Sequence, residues 1–273
     1  MGALGLIAGG GGLPLAIADG CRAQGREYWV IRLKGLADPA LAAHPGEEVG
    51  LAELGHCLKS LRRSGCDTVC FAGIVRRPDF SSLRPDLKGL MHLPAVIAAA
   101  RRGDDAVLRA ILEVFEHEGF RVEGVAEAGA SLLLPPGPFG RFRPLEEEEA
   151  DVAAAEQAAR EVGATDIGQA AIARDGQVVA RETADGTDAM LALYADQAPG
   201  GRGGVLAKIP KPHQDMRVDI PTIGVATVEA AAWAGLVGIV GQAGALLVVD
   251  PPAVREAADR LRVFICGLEP QAR

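Results

Sequence analysis

The sequence predicts an α/β protein: a parallel sheet covered by helices in the amino-terminal half, followed by a second, distinct α/β unit. Three observations predict it. Short apolar runs alternate with helical patterns across short links. An apolar run feeds a glycine-rich turn and then a helix in "GLIAGGGGLP", Gly5 to Pro14. The proline- and glycine-rich stretch "LPPGPFGRFRP" (134–144) then interrupts every regular pattern before the alternation resumes. The reading is therefore a domain over 1–134, a linker over 135–144 and a second domain over 145–273.

The elements follow in order. "ALGLIA" (3–8) reads as a buried strand, and 13–25 as a helix closed by Gly25. Residues 27–33 form the second strand. The run 51–65 is a helix ending in Arg62, Arg63 and Gly65, as the helix dipole favours. "CDTVCFAGIV" (66–75) is a third strand, 104–119 a helix with acids at its start, and 120–127 a further strand. Beyond the break, 145–163 is a helix whose acidic first turn suits the dipole. Segments 168–174 and 176–182 form a hairpin across Asp175-Gly176. Helices over 185–197, 226–235 and 251–262 alternate with strands within 203–224, 237–250 and 263–269.

Composition narrows the function. The net charge is -8 and aromatics are 4%, which speaks against a nucleic-acid binder with a basic face or stacking platforms. Five cysteines are unevenly spaced, and the Cys66-x3-Cys70 pair lacks the second pair or histidines of a zinc site, so they read as reduced core thiols. Neither a membrane span nor a signal peptide is visible, which makes a cytoplasmic location the expectation.

Candidate chemistry gathers in five places. At Gly9, Gly10, Gly11, Gly12 and Leu13 the helix start offers free N–H groups and a positive dipole end to a phosphate, with Pro14 fitting the first turn. The spacing departs from the dinucleotide fingerprint, and Arg32 and Lys34 stand where an NAD binder places an acid; NADP or another nucleotide remains open. Arg76 and Arg77 follow a strand end, where a phosphate can be met. Asp104 opens a helix, either capping it or reaching a sugar or metal; Thr187 and Asp188 lie in "DGTDAM" (185–190), equally readable as turn and cap. The densest cluster is "KPHQDMRVDIP" (211–221), where prolines hold Lys211, His213, Gln214, Asp215, Arg217 and Asp219. Asp215 and Asp219 can share a hard cation, and Lys211 can neutralise phosphate.

Taken together, "GLIAGGGGLP", "GIVRRP", "DGTDAM" and "KPHQDMRVDIPTIG" resemble the two-domain, non-calcineurin-like family of UDP-2,3-diacylglucosamine pyrophosphatases of lipid A biosynthesis, from Leu4 to about Gly267. The resemblance implies a Rossmann-like amino domain that binds the nucleotide's phosphates and a catalytic, acyl-binding carboxyl domain. It implies hydrolysis to UMP and 2,3-diacylglucosamine 1-phosphate, water attacking the alpha phosphorus, with magnesium or in its place manganese. Asp215 and Asp219 would hold the metal or the water, with Lys211 on the phosphate; Arg76, Arg77, Asp104, Thr187, Asp188 and Gln214 would complete the substrate contacts. A homodimer touching the inner membrane peripherally is also implied. Ala226 departs from the pattern, which leads one to expect an aspartate there and so implies an inactivated variant. An NADP-linked oxidoreductase and a non-catalytic nucleotide-sugar binder are the competing readings.

Overall fold

A computed structural model describes residues 2–75, 83–101, 103–197, 200–212, 215–217 and 220–270, Asp104 and Asp105 through their backbone alone. The contacts divide them into two units. The first comprises residues 2–130 with Met216 and Arg217; the second comprises the other described residues.

The first unit opens with β1 (Ala3–Ala8), whose residues are all buried, and α1 (Leu13–Gln24), which ends on left-handed Gly25. β2 (Tyr28–Leu33), β3 (Gly46–Val49), α2 (Leu54–Arg63) and β4 (Cys66–Ala72) follow. Then come α3 (Leu87–Ala100), α4 (Asp104–His117), β5 (Arg121–Val122) and the single-turn α5 (Val125–Ala128). The five strands lie in the order β3-β2-β1-β4-β5, every pairing parallel. That is the doubly wound dinucleotide-fold order without its sixth strand, with the reversal point between β1 and β4.

Three parts of this unit depart from the sequence reading. β3 carries one buried residue, Val49, too few to register as an apolar run. α3 was unassigned because Pro94 sits in its interior. Pro94 and Leu90 are both exposed, so the carbonyl that loses its partner lies on the water side. Residues 120–127 form a two-residue strand and then a helical turn, because Val125 N–H turns away to donate to Arg217 O (3.0 Å).

A buried charge cluster pins the far edge of the sheet. The Glu123 carboxylate is almost wholly buried and receives both arms of Arg26 (2.6 and 2.8 Å) and one of Arg121 (2.7 Å). Asp86 fastens two helices at once, accepting from Gly89 N–H in α3 (2.8 Å) and His56 N–H in α2 (2.9 Å). Burial alone would raise this carboxyl; the backbone donors of Gly89, His56, Gly55 and Lys88 hold it below its ordinary value.

The second unit contains β6 (Gly137–Pro138), α6 (Glu149–Ala164), β7 (Ala170–Arg174), β8 (Gln177–Arg181) and α7 (Gly186–Gln197). It continues with β9 (Val205–Lys208), β10 (Thr222–Ile223), α8 (Val225–Trp233), β11 (Gly238–Gln242), β12 (Leu247–Val248), α9 (Pro251–Leu261) and β13 (Phe264–Leu268). Its main sheet runs β6-β13-β11-β9-β7-β8. β13, β11 and β9 pair in parallel, while β6, β7 and β8 join antiparallel. β7 and β8 form the hairpin read from Asp175-Gly176, both turn residues left-handed.

One face of this sheet carries α6, whose Ala155, Ala158 and Ala159 let it approach Ala171, Ala173 and Ala207 closely. The other carries α7, α8 and α9 over Ile172, Leu206, Ile239 and Ile265. The segment read as a linker belongs to this unit. Gly137 and Pro138 pair with β13, and Phe139 is buried beneath the Arg255 guanidinium, 4.8 Å from the ring centroid. An edge position suits Pro138, which has no N–H to offer a further strand.

Replacing Arg26 with alanine leaves the Glu123 carboxylate buried with one partner. The first unit should lose on the order of 3 kcal/mol, read as an earlier urea transition in near-ultraviolet signals of that unit. A transition that does not move would mean Arg121 and water already satisfy the acid.

Candidate functional site

The tetraglycine turn sits at the carboxyl end of β1, at the sheet's reversal point. Its first two glycines bond to the protein itself. Gly9 N–H donates to Ala72 O (2.8 Å), and Gly10 and Ile74 exchange both backbone hydrogen bonds (2.9 and 2.8 Å). A Cβ on Gly9 would stand 2.9 Å from Ile74 O; one on Gly73 would stand 2.6 Å from Gly10 O and 2.8 Å from the Pro14 ring. The expectation that these two N–H groups hold phosphate is therefore corrected: main chain meets main chain there.

The turn's second half fits the anion reading. Gly11 is left-handed with open space where its Cβ would be, apart from the end of Ile74 at 3.9 Å. Gly12 caps α1 without any side-chain hydrogen bond, Pro14 occupies the first turn, and among the described residues the N–H groups of Gly11 and Gly12 have no partner. Those two, with the Leu13 N–H, are the donors a phosphate can use.

Beside the turn, within the same unit, lies an apolar chamber of about 420 Å³. Ile7, Leu33, Val49 and Phe71 from the sheet form one wall; Leu54 and Cys57 of α2, Leu93 and Val96 of α3, and Leu108 and Ile111 of α4 form the others. Phe71 and Phe115 meet edge-to-face at its base, centroids 5.0 Å apart. Glu53 and His92 are its ionisable residues apart from Cys57, whose thiol burial pushes up to about 12 and thus keeps neutral. The other cysteines are likewise unpaired and raised by burial, so none is a ready nucleophile. Reading the sequence missed this chamber. It left no local signal, because apolar residues at 107, 108, 111, 114 and 115 of α4 form the stripe that packing on a sheet itself requires.

The remaining candidates fare differently. Arg76, Arg77, Gln214 and Asp219 lie outside the described residues, as does His213. Asp104 begins α4, and its side chain is not described. Thr187 is buried and donates its hydroxyl to Glu182 (2.9 Å), which also accepts from Gln169 N–H (2.6 Å), a contact that ties the start of α7 to the strand before it. Asp188 is exposed on the first turn of α7. Lys211 Nζ binds Asp166 Oδ1 (2.9 Å) and O (3.1 Å), fixing the left-handed turn after α6, where phosphate had been expected. Asp215 is half-buried in the second unit, whereas Arg217 pairs with Glu116 (2.9 Å) in the first. Ala226 is exposed in the first turn of α8.

Two functional expectations can be weighed on this geometry. Among the described residues there is no group of three or more His, Cys, Asp or Glu that could hold a metal ion by itself; magnesium needs only one or two carboxylates beside substrate phosphates, and Asp215 offers one. The NADP reading rested on Arg32, whose guanidinium donates to the carbonyls of Gly46 (3.0 Å), Leu41 and His44 (3.4 Å each) and is thereby committed to the fold.

Comparison with known proteins gives a consistent answer. Residues 3–132 match the family model described as the LpxI N-terminal domain, and residues 135–266 match the LpxI C-terminal domain. The chain is 54% identical over 276 residues to the UDP-2,3-diacylglucosamine pyrophosphatase LpxI of Caulobacter vibrioides, covering 99% of each. Among solved structures, CobK precorrin-6A reductase aligns with a TM-score of 0.32 and 16% identity over 99% of this chain and 89% of that one, a likeness too weak to carry an argument.

The close approach at the reversal point can be tested directly. Gly73→Ala combines a left-handed φ of 90° with the clash on Gly10 O, and should cost about 3 kcal/mol. Gly65→Ala, at φ 72° with open space around it, should cost only about 1 kcal/mol. Equal losses in urea unfolding would show that the crossing carries no stress.

Proposed function

The chain belongs to the LpxI family, and from that premise we propose that it is a UDP-2,3-diacylglucosamine pyrophosphatase of lipid A assembly. Water adds to the alpha phosphorus, its oxygen remains on UMP, and the bridging oxygen leaves with 2,3-diacylglucosamine 1-phosphate. The observation that carries this reading is the pairing, inside one unit, of an open anion-binding turn with an apolar chamber. A soluble nucleotide needs the first and has no use for the second. A substrate joining a diphosphate to fatty acyl chains needs both.

The Gly11, Gly12 and Leu13 N–H groups bind a phosphate oxygen at the positive end of α1. The chamber takes acyl carbon and excludes water from it. Its volume lies within the range of small-molecule sites, and each methylene moved out of water contributes about 0.8 kcal/mol. We assign acyl binding to the first unit, whereas the sequence reading gave it to the carboxyl domain. Asp215 is the described carboxylate we assign to positioning water or metal. Magnesium, when bound, would supply charge neutralisation on the phosphoryl oxygens. Peripheral contact with the inner membrane and a homodimer complete the proposal.

Position 226 bears on the rate. An aspartate there would stand in the first turn of α8, at the helix end that favours negative charge, and exposed. The present chain has a methyl group instead. Ala226→Asp should therefore raise turnover.

The test is to incubate both proteins with the acylated UDP-sugar, with magnesium and then with a chelator, and follow UMP by mass spectrometry. Release of UMP that the chelator stops supports the reading. Tight UDP binding with no UMP from either protein would replace the enzyme with a nucleotide-sugar binder. In whichever protein turns over faster, filling the chamber with Val96→Trp should cut kcat/KM for a long-chain substrate about 100-fold, as loss of several buried methylenes requires. A diacetyl analogue should be unaffected. Equal effects on both would move the acyl site elsewhere.

A further inference from the structure

Helix α3 is apolar on both sides. Gly89, Leu93 and Val96 face the chamber. The opposite side shows Leu87, Leu90, Met91, Pro94, Ala95 and Ala98 to water, the leucines and methionine 57 to 78% exposed. These positions recur every third or fourth residue and so form one continuous stripe along the helix. A surface helix ordinarily turns charge outward, as α2 does with Lys59, Arg62 and Arg63.

Charge decides what covers the stripe. Arg84, in the segment before the helix, and Arg101, at its C-cap, are exposed at the two ends. Asp86, which precedes the helix, is turned to the N–H groups of Gly89 and His56, and Lys88 is paired with Glu118. Among the described side chains the stripe therefore carries cations at its ends and no carboxylate, on a chain whose net charge is -8. An apolar face between basic ends is the pattern of a helix lying in the plane of an anionic bilayer.

We propose that the outer face of α3 docks the protein on an anionic phospholipid surface, so that the helix wall of the acyl chamber rests where acyl chains reside. This rests on the lipid-substrate reading above and adds the surface that meets the lipid. Leu87, Leu90 and Met91 enter the headgroup boundary, while Arg84 and Arg101 meet phosphates.

The experiment uses the full chain and vesicles of phosphatidylethanolamine with phosphatidylglycerol, set against vesicles of phosphatidylcholine. Co-sedimentation should favour the anionic vesicles. Binding should fall roughly tenfold in Leu87→Ser/Leu90→Ser/Met91→Ser, and similarly in Arg84→Ala/Arg101→Ala, where two surface charges are removed. All these residues are exposed, and an unchanged melting temperature verifies folding. UMP release from detergent-dispersed substrate should stay at the parent level, so a protein that releases no UMP refutes the enzymatic reading separately. Wild-type-like vesicle binding by the triple variant overturns the proposal. So does a change from dimer to monomer in sedimentation velocity with vesicle binding intact, which would make the stripe a contact between copies.

Discussion

Everything at the proposed phosphate end depends on two stretches of main chain touching without side chains between them. β1 and β4 end side by side, and the turn after one lies against the turn after the other through the Gly10–Ile74 pair. Gly9 and Gly73 permit that approach, and Pro14 packs against Gly73, which fixes where α1 begins. Only because Gly9 and Gly10 bond inward do Gly11, Gly12 and Leu13 emerge with N–H groups to offer. The four glycines thus divide by role: the first two close the fold, and the next two keep their N–H groups without a partner among the described residues.

Closing one side of the reversal point leaves the other open. Beyond the ends of β2, β3 and β4, the sheet is covered by α2, α3 and α4 without being filled, and the chamber is that hollow. A nucleotide-binding unit of this strand order needs no such space. Asp86 bears on it because one carboxylate accepts from the first turns of both α2 and α3, holding two chamber walls by their ends. The chamber walls forgo packing that would otherwise stabilise the core.

How much of this was legible in the sequence depended on whether the signal was local. β1, the glycine turn, α1 and the Asp175-Gly176 hairpin are written in neighbouring residues, and each formed where it was read. β3 and α3 were not, for opposite reasons: "GEEV" is too polar to look buried, and α3 is apolar all round with a proline inside. The chamber was invisible because it is an absence of packing among residues from seven elements. Polar residues misled most. Arg32, Thr187 and Lys211 each have the chemistry of a ligand contact, yet each closes a hydrogen bond within the fold. A sequence shows what a side chain can bind and leaves unstated what it already holds.

That distinction also shapes how the polar segment after β9 is understood. Its prolines were read as holding one cluster of charges together, whereas Asp215 and Lys211 belong with the second unit, and Arg217 reaches Glu116 and gives its carbonyl to Val125 in the first. The segment is therefore a place where chain passes from one unit to the other and back, and its charges serve two bodies. Phosphoanhydride hydrolysis needs an anchored anion and a separately delivered oxygen nucleophile. A backbone anion site works through dipoles and N–H groups, which an adjacent acid would oppose, and among the described residues no carboxylate cluster accompanies the glycine turn.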